Sequence, residues 1–317
     1  LRRDIETDGR HAVVAFTTDW AEDAARRDFT MNALYLDAEA QIWDPVDGIE
    51  DCLAGRVRFV GEAAARVAED YLRILRFYRF QAHYGTAEAD AAARAACRTG
   101  AHGLARLSGE RIRHEMMRLL AAPDPVPAFA MLVEDGIWSA LNADRCNPDT
   151  DLDGFQRLVQ LEDDLLEDGL PDPIRRLAYL MRLARGGLAN GKPADWRFSN
   201  DELDRLTALA NSRQDLGADA AAARRAIWQA GKSLYRDGVL LAAARQDRTK
   251  DAARLIAIAE GWDVPALPIR GADLVELGVL PGPGLGKLLR AVEAWWIACD
   301  FAPDRTACMA EARRLLG

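Results

Sequence analysis

Apolar residues recur at every third or fourth position along most of the chain beyond Glu62, in runs dominated by alanine, leucine and arginine. This spacing is typical of amphipathic helices. Breaks that contain glycine or proline separate the runs and leave only short connections. The pattern therefore predicts a long helical array, and the lack of a fixed repeat period in the sequence disfavours a regular solenoid.

The first 61 residues have a different pattern, in which short β-rich runs alternate with turn residues. Strands are predicted at residues 11–17, 33–37, 41–43 and 57–60. The second and third of these strands flank a small turn and predict a hairpin. Residues 23–32 predict a helical turn instead. This is enough strand for part of a sheet and too little for an independent domain, so we expect a partial α/β region followed by helices.

Length and composition limit the class of protein. About half of the 317 residues are apolar, which is more than one compact core usually holds, so two or more domains are expected. No apolar run approaches the roughly 18 residues that a membrane helix needs, so we expect no membrane partner. The five cysteines are scattered and the four histidines lack ligand spacing. We therefore predict neither a disulfide framework nor a zinc site, and a cytoplasmic location.

The net charge of −9 argues against a general nucleic-acid binder, but its distribution is uneven. Residues 56–118 contain twelve arginines against seven acidic residues, a local charge of +5. An acidic protein with one basic segment can bind RNA on one face. A solvated helical surface explains the same count.

A helix predicted to begin near Glu69 carries the first candidate chemistry. At about 100° per residue, Asp70 and Arg73 lie on one face, while Arg76 and Arg79 lie on another. The first face would present a carboxylate acceptor beside a guanidinium donor. An ordinary ion pair across one helical turn, which contributes about 0.2–0.5 kcal/mol, explains the same spacing.

An acceptor beside a donor would also select nucleobases. Cytosine and adenine both carry an exocyclic amine next to a ring nitrogen that accepts a hydrogen bond, so Asp70 and Arg73 would match both. Uracil and guanine present a carbonyl and an N–H at these positions. A site of this polarity would reject them, because buried polar groups without a matching partner are costly.

The triplet Arg26-Arg27-Asp28 offers complementary chemistry. Adjacent arginines can clamp phosphates. Asp28, the acceptor next to this pair, would accept a hydrogen bond from a ribose hydroxyl, as acidic residues do in other nucleotide sites. A polar helix start with solvated charges explains the triplet if it is considered alone.

Four motifs follow one another in the first 120 residues: RRDFTMNA at 26–33, Asp44-Pro45 and Asp47-Gly48 with Asp51, EDYLRILR at 69–76, and ERIRHE at 110–115. Together they resemble the class II nucleotidyltransferases, the family of bacterial CCA-adding tRNA nucleotidyltransferases and poly(A) polymerases. Residues 271–274 and 281–284, with Trp295, also resemble the tail of CCA-adding enzymes. Several motifs in the same order are a far more specific signal than one short pattern.

The resemblance implies nucleotide-binding roles for seven residues, namely Arg26, Arg27, Asp28, Asp70, Arg73, Arg76 and Arg79. The arginine pair would contact the phosphates, and Asp28 the ribose 2′-hydroxyl. Asp70 and Arg73 would form a protein template that pairs with the base of CTP or ATP. Arg76 and Arg79 would support the base or the phosphates from the same helix.

The resemblance also implies a metal site that has no counterpart in these residues. In the family an Asp-x-Asp pair on a strand follows a Gly-Gly loop, and neither occurs at a matching place in the sequence. Two Mg²⁺ ions held by such carboxylates would activate the primer hydroxyl and stabilise the leaving pyrophosphate. We therefore expect Mg²⁺ as the cofactor, bound by residues that precede Leu1. We expect no catalytic or metal-binding residue within the chain, and no turnover by these 317 residues alone.

The architecture that we predict is mainly α. A partial α/β nucleotidyltransferase head without its first half would occupy residues 1–61, a helical neck with the template helix 62–122, a helical body 123–260, and a helical tail 261–317. The body and tail would hold tRNA by shape and backbone. Residues 4–18 would form the flexible loop that helps such enzymes change from C to A addition, and the helix with Glu110 would brace the template helix.

The leading hypothesis for the intact protein is CCA addition to tRNA 3′ ends from CTP and ATP, which the loop and the tail favour. The alternative is a poly(A) polymerase with the same fold and chemistry, which uses ATP only. A basic C-terminal extension would favour this alternative, and residues 302–317 do not form one. A third hypothesis is a non-catalytic RNA-binding protein. The oligomeric state is left unpredicted.

Overall fold

The computed structural model describes residues 2–7, 12–16, 18–86, 88–141, 151–166, 169–182 and 196–316. Contacts divide the chain into two units, Leu1–Ser212 and Arg213–Gly317. This division falls inside the predicted body, residues 123–260. The four predicted domains and their boundaries remain predictions.

Within the residues that the structure describes, the first unit contains four strands and eleven helices. The strands are β1 (Arg2–Thr7), β2 (Ala12–Phe16), β3 (Tyr35–Leu36) and β4 (Ile42–Trp43). The helices are α1 (Trp20–Ala25), α2 (Gly48–Ala54), α3 (Ala63–Glu69), α4 (Leu72–Tyr84), α5 (Ala91–Gly100), α6 (Gly109–Leu120), α7 (Val126–Glu134), α8 (Ile137–Leu141), α9 (Leu152–Leu165), α10 (Pro173–Arg182) and α11 (Asn200–Asn211). Two 3-10 turns occupy Thr30–Asn32 and Ala101–Arg106.

The strands form two antiparallel pairs, β1 with β2 and β3 with β4. The second pair confirms the predicted hairpin, and β2 confirms the predicted strand over its described positions. Strand β1 was not predicted. The predicted strand at residues 57–60 is wrong, because Phe59 forms only an isolated bridge with Phe29 and no described neighbour extends the ladder. The prediction of a mainly α chain is confirmed.

Helix α4 lies in the core of the first unit, where it packs against α3, α5, α6 and α7. Its residues Ile74, Leu75, Phe77 and Tyr78 are fully buried, because three of its faces contact other helices. The ring of Phe29 lies 4.8 Å from that of Phe80 of α4, measured between centroids. This aromatic contact, which adds to area burial, holds the segment after α1 against α4.

The turn before α2 is held by one carboxylate and one close backbone approach. The carboxylate of Asp44 accepts hydrogen bonds from the N–H groups of Gly48 (2.8 Å) and Ile49 (2.9 Å). A Cβ atom on Gly48 would lie 2.2 Å from the carbonyl oxygen of Thr30, so only glycine fits here. The buried Asp51 then accepts from the hydroxyl of Thr30 at 2.7 Å. Together these contacts dock residues 28–30 onto α2.

The second unit contains six described helices: α12 (Ala220–Ala230), α13 (Lys232–Gln246), α14 (Thr249–Gly261), α15 (Gly271–Glu276), α16 (Pro283–Ala298) and α17 (Arg305–Leu316). Helices α12, α13 and α14 pack together, and α15, α16 and α17 surround an apolar cluster that includes Trp296 and that Trp228 of α12 packs against. The indole N–H of Trp296 donates to the carbonyl of Pro303 at 3.0 Å, which satisfies its one buried donor. Among the described helices of the chain, none is long and apolar enough to cross a membrane.

Asp135, which caps the C-terminal end of α7, joins three helices through one buried carboxylate. It accepts hydrogen bonds from Tyr78 of α4 (2.7 Å), and from Arg94 (2.8 Å) and Arg98 (2.8 Å) of α5. Burial by itself would raise the pKa of Asp135, but the bonds from Arg94, Tyr78 and Arg98 outweigh it and hold the pKa below its ordinary value of 3.8. The ionised carboxylate is therefore the form that the fold stabilises.

We predict that Asp135→Asn lowers the free energy of unfolding at neutral pH by about 3–5 kcal/mol, because it removes the charge on which two arginines depend in a buried site. Glu134→Gln is a matched control. Its side chain contacts the same Arg94 but is 71% exposed. This substitution should therefore lower the free energy of unfolding by less than about 1 kcal/mol. Denaturant unfolding of both variants beside the parent measures these losses.

The same carboxylate should make stability depend on pH. Because its folded pKa is depressed, its contribution is present above pH 3.8 and is lost as the pH falls through the folded pKa. The parent should therefore lose its advantage over Asp135→Asn in acid. Equal stability losses in the Asp135 and Glu134 variants at neutral pH would contradict the joining role of Asp135.

Candidate nucleotide-binding site

The predicted template helix is α4, and a break at Asp70 separates it from α3. Glu69 is the last residue of α3, and α4 begins at Leu72. Asp70 between them is extended (φ −152°, ψ 107°), and its carboxylate accepts from the N–H of Leu72 at 3.0 Å. This is the way in which aspartate starts a helix. The predicted start of this helix near Glu69 is therefore wrong, because a period of 3.6 residues does not show where the backbone becomes helical.

The break opens one wall of a cavity of about 410 Å³ in the first unit. Its lining combines five arginines with two aspartates and two other residues: Arg26, Arg27, Asp28, Asn32, Asp70, Leu72, Arg73, Arg76 and Arg111. Six of the seven predicted site residues are therefore brought together. The excess of cationic side chains makes the cavity suited to an anion.

The two adjacent arginines are held by a carboxylate that sequence reasoning missed. Arg26 donates to Asp23 at 2.5 Å and Arg27 donates to the other oxygen of Asp23 at 2.9 Å. The hydroxyl of Tyr35 also donates to Asp23 at 2.8 Å. The expectation that Asp28 is the acceptor beside this pair is thus wrong: Asp23 lies one helical turn back on α1, and it is buried.

Asp28 binds Arg76 instead. One carboxylate oxygen accepts a hydrogen bond from Arg76 Nε (2.6 Å) and lies 2.5 Å from Arg76 Nη2, and the other oxygen accepts from the N–H of Phe29 (2.9 Å) and the amide of Asn32 (3.0 Å). Burial would raise the pKa of Asp28, but the charge of Arg76 and these hydrogen bonds keep it below the ordinary range. Three hydrogen bonds and the close Nη2 contact leave little room for a further donor at this carboxylate, which has about four lone-pair positions.

Asp70 and Arg73 both line the cavity but do not pair with each other. Asp70 accepts from Arg111 of α6 at 2.7 Å, whereas Arg73 Nη1 donates to Glu69 (2.6 Å) and to the main-chain carbonyl of Arg66 (2.8 Å). The alternative of an ordinary ion pair between Asp70 and Arg73 is therefore wrong. Each group has a separate partner, because the extended backbone at Asp70 turns its side chain towards α6.

Asp70 and Arg73 can each form further hydrogen bonds. Among the described residues, Asp70 has two donors for about four acceptor positions. Arg73 uses only Nη1 among those residues, which leaves Nε and Nη2 for a ligand. The cavity thus contains one acceptor and one donor that can still form hydrogen bonds.

Arg79 does not line the cavity. Its buried guanidinium donates from Nε to Glu115 of α6 at 2.6 Å, and Arg76 Nη1 lies 3.7 Å from the same carboxylate. Helix α6, which the Glu110 motif predicted to brace the template helix, does pack against α4. Within that motif, Glu115 bonds to Arg79 of α4, and Arg111 bonds to Asp70 just before α4.

Sequence reasoning missed three lining residues, Asn32, Leu72 and Arg111. Each lies inside one of the motifs that resemble the family, and membership of a motif is the sequence feature that could have identified them. The spacing alone could not select them, because their closeness to the arginine pair depends on how α4 and α6 pack.

The described residues do not fit a magnesium site. They contain no group of three His, Cys, Asp or Glu side chains that could hold a metal ion. The two carboxylates of the cavity, Asp28 and Asp70, are both bonded to arginines.

Two protein-family models match the chain. A model described as the poly A polymerase head domain matches residues 1–58, and one described as a probable RNA and SrmB-binding site of polymerase A matches residues 90–144. The CCA tRNA nucleotidyltransferase 1, mitochondrial, of Danio rerio is 31% identical over 93% of this chain and 68% of its own length. The CCA-adding enzyme of Leuconostoc mesenteroides is 27% identical over 93% of this chain and 71% of its own length.

Solved structures of CCA-adding enzymes share the fold of this chain. The Bacillus stearothermophilus CCA-adding enzyme in complex with CTP superposes with a TM-score of 0.72 at 25% identity, covering 98% of this chain and 77% of that one. The Thermotoga maritima CCA-adding enzyme, solved with tRNA, has the same fold with a TM-score of 0.61 at 16% identity, covering 94% of this chain and 74% of that one. The chain therefore belongs to the family of class II CCA-adding enzymes and poly(A) polymerases, as the motifs predicted.

We predict that the protein binds inorganic tripolyphosphate and that binding weakens as salt is added, because arginine charges attract the anion. Arg27→Ala should weaken binding about tenfold or more, the usual effect of losing one hydrogen bond to a charged group. Arg314→Ala is the control, since it removes the same charge from an exposed position in the second unit. Isothermal titration calorimetry compares them, and equal weakening would mean that net charge rather than the cavity binds the anion.

Proposed function

We propose that the protein adds CCA to tRNA 3′ ends by nucleotidyl transfer from CTP and ATP. The observation that carries the proposal is one cavity in which a free acceptor position on Asp70 and free donors on Arg73 lie together with the adjacent arginines Arg26 and Arg27. Relatives that share 27–31% identity along almost the whole chain are named as CCA-adding enzymes, which supports the same activity.

The arginine pair is the phosphate end of the proposed site. Arg26 and Arg27 share Asp23, which directs both guanidinium groups, and Arg27 remains 40% exposed at the cavity. Arg guanidinium groups suit phosphate oxygens because their planar N–H donors match two acceptors at once. A triphosphate would therefore lie against residues 26–27, with the base towards α4.

Asp70 and Arg73 are the base end of the proposed site. The spare oxygen positions of Asp70 would accept from the exocyclic amine of cytosine or adenine, and Arg73 Nε or Nη2 would donate to the ring nitrogen. The other partners of these residues, Arg111 and Glu69, hold the two groups apart and fix their directions before a nucleotide arrives. Fixed polarity is what would exclude uracil and guanine.

The proposed ribose contact of Asp28 requires a rearrangement. Its three hydrogen bonds and its close contact with Arg76 Nη2 leave little room for a ribose hydroxyl, so Arg76 or Asn32 would have to move away. Arg76 then has two roles that fit one cavity: it holds Asp28 in the free protein and supports the nucleotide when released. Arg79, buried against Glu115, would support this arrangement only from behind α4.

Poly(A) polymerase activity is the second candidate, because both matching family models are described as parts of poly A polymerases. A non-catalytic RNA-binding protein is the third. Mg²⁺ and RNA binding belong to the proposal for the family chemistry, in which the metal would supply charge stabilisation at the phosphates. The cytoplasmic location also stays a prediction, since the Danio rerio relative is named as mitochondrial.

We predict that the protein, expressed from its whole gene and supplied with Mg²⁺, restores CCA to a tRNA that lacks its 3′ end. Labelled CTP and ATP, given separately and together, measure each addition. Two C residues and one A should be added, and addition should then stop. Long adenosine tails on any RNA without use of CTP would favour the poly(A) alternative, and RNA binding without any transfer would favour the third hypothesis.

We predict that Arg73→Ala lowers incorporation of both C and A, because both bases would lose the same donor. Asp70→Lys replaces an acceptor by a donor, so it should reduce use of CTP and ATP and admit some UTP or GTP. The expected loss is about 1–3 kcal/mol per mismatched group, or roughly 5- to 150-fold in rate. Incorporation of all four nucleotides is measured beside thermal unfolding.

Arg113→Ala serves as the control for these variants, because Arg113 lies on α6 and pairs with Glu202 outside the cavity lining. It should alter melting slightly and leave the choice of nucleotide unchanged. Parent-like selectivity in both the Asp70 and Arg73 variants would show that the two residues only carry surface charge.

A further inference from the structure

Arg66, on α3 behind the cavity, has an environment that neither the motifs nor the cavity lining explains. Its side chain is 10% exposed, and it is not among the residues that line the cavity. Nη1 donates to Glu69 at 2.5 Å, and Nη2 donates to the main-chain carbonyl oxygen of Arg27 at 2.5 Å. Its buried Nε has no hydrogen-bond partner among the described residues.

The first contact of Arg66 is with Glu69, which also binds Arg73 at the base end of the site. The oxygen of Glu69 that accepts from Arg66 also accepts from Arg73 at 2.6 Å. The main-chain carbonyl of Arg66 accepts from the same Nη1 atom of Arg73 at 2.8 Å. Both acceptors that orient Arg73 therefore depend on Arg66, one through its side chain and one through its backbone.

The second contact of Arg66 is with the main-chain carbonyl of Arg27 at the phosphate end of the site. The carbonyl of Arg27 belongs to the turn that follows α1, and the side chain of Arg66 is its described link to α3 across 39 positions of sequence. A guanidinium can hold the Glu69 carboxylate and this carbonyl together, because its N–H donors point in fixed, divergent directions. The single ammonium of lysine has no such fork.

A contribution to folding stability does not by itself explain why a charged arginine is buried at position 66. A buried cation loses its hydration, and replacing such ions with apolar residues is often neutral or stabilising. Burial and the nearby charge of Arg73 lower the pKa of Arg66, whereas Glu69 opposes the shift. The protein therefore retains a cation where two cationic side chains approach each other and where one N–H remains unbonded.

We propose that Arg66 is a positioning residue that sets the separation of Arg27 and Arg73, and thereby of the phosphate and base ends of the nucleotide site. This inference rests on the proposed function, because the two ends are assigned there. Arg66 acts through Glu69 and through the backbone of Arg27, without contact with the nucleotide. Its loss should therefore affect nucleotide choice as well as affinity.

The test compares Arg66→Lys with Arg176→Lys in the protein expressed from its whole gene. Arg176 is a more deeply buried arginine that also binds one carboxylate, Glu162, and main-chain carbonyl groups, those of Leu120 and Ala122. It does not line the cavity. The assay measures KM and kcat for CTP and ATP, the ratio of CTP to UTP incorporation, and the melting temperature.

Arg66→Lys should lower kcat/KM for both nucleotides by about 10- to 100-fold, as small misplacements in a site do, and should lower the CTP-to-UTP ratio. Arg176→Lys should lower the melting temperature and keep the parent ratio. A parent-like ratio and KM in Arg66→Lys would overturn the inference. Failure of the parent itself to incorporate CTP or ATP would instead overturn the proposed function.

Glu69→Gln provides a second variant if Arg66→Lys does not fold. The Glu69 side chain is 40% exposed, so the substitution should preserve the fold while it weakens the contact with Arg66. It should shift the CTP-to-UTP ratio in the same direction as Arg66→Lys, and in a folded double variant the two effects should not add. An unchanged ratio in Glu69→Gln, or full additivity in the double variant, would overturn the link through Glu69.

Discussion

Repulsion among five arginines that surround one cavity is the constraint on which the site depends. Guanidinium groups this close together favour separation unless carboxylates offset their charge. Four carboxylates do so: Asp23 for the adjacent pair, Glu69 for Arg73, Asp28 for Arg76, and Asp70 for Arg111. Each carboxylate also fixes the direction of the donors that it binds, so the cavity is positively charged and ordered at the same time.

The carboxylates differ in what they can still bind, and this separates two parts of the site. Asp70 has spare acceptor positions, whereas three hydrogen bonds and a close Arg76 contact surround the oxygens of Asp28. A base can therefore meet a prepared acceptor, while a ribose must displace an existing contact. Preorganised groups bind at lower cost than groups that must first rearrange. The base end is thus the part of the cavity best suited to discriminate between ligands.

The rigidity of this arrangement comes from helix packing behind it. Helix α4 is buried between α6 and α7, and Asp135 ties Tyr78 of α4 to two arginines of α5. The break at Asp70 is what allows a helix so deeply buried to present polar groups at its N-terminal end. The carboxylate both accepts from the N–H of Leu72, the first residue of α4, and lines the cavity, so one residue joins the start of the helix to the chemistry of the site.

The sequence by itself determined the helical class, the β3–β4 hairpin and the membership of the family, because periodicity, turn residues and ordered motifs are local properties of the chain. It also selected six residues that line one cavity. Their partners were decided only by tertiary structure. Asp23 lies one helical turn before the arginine pair, Arg76 reaches Asp28 across 48 positions, and Arg111 reaches Asp70 across 41. Hydrogen bonds of this kind depend on how helices pack, and helical spacing does not record a backbone break such as that at Asp70.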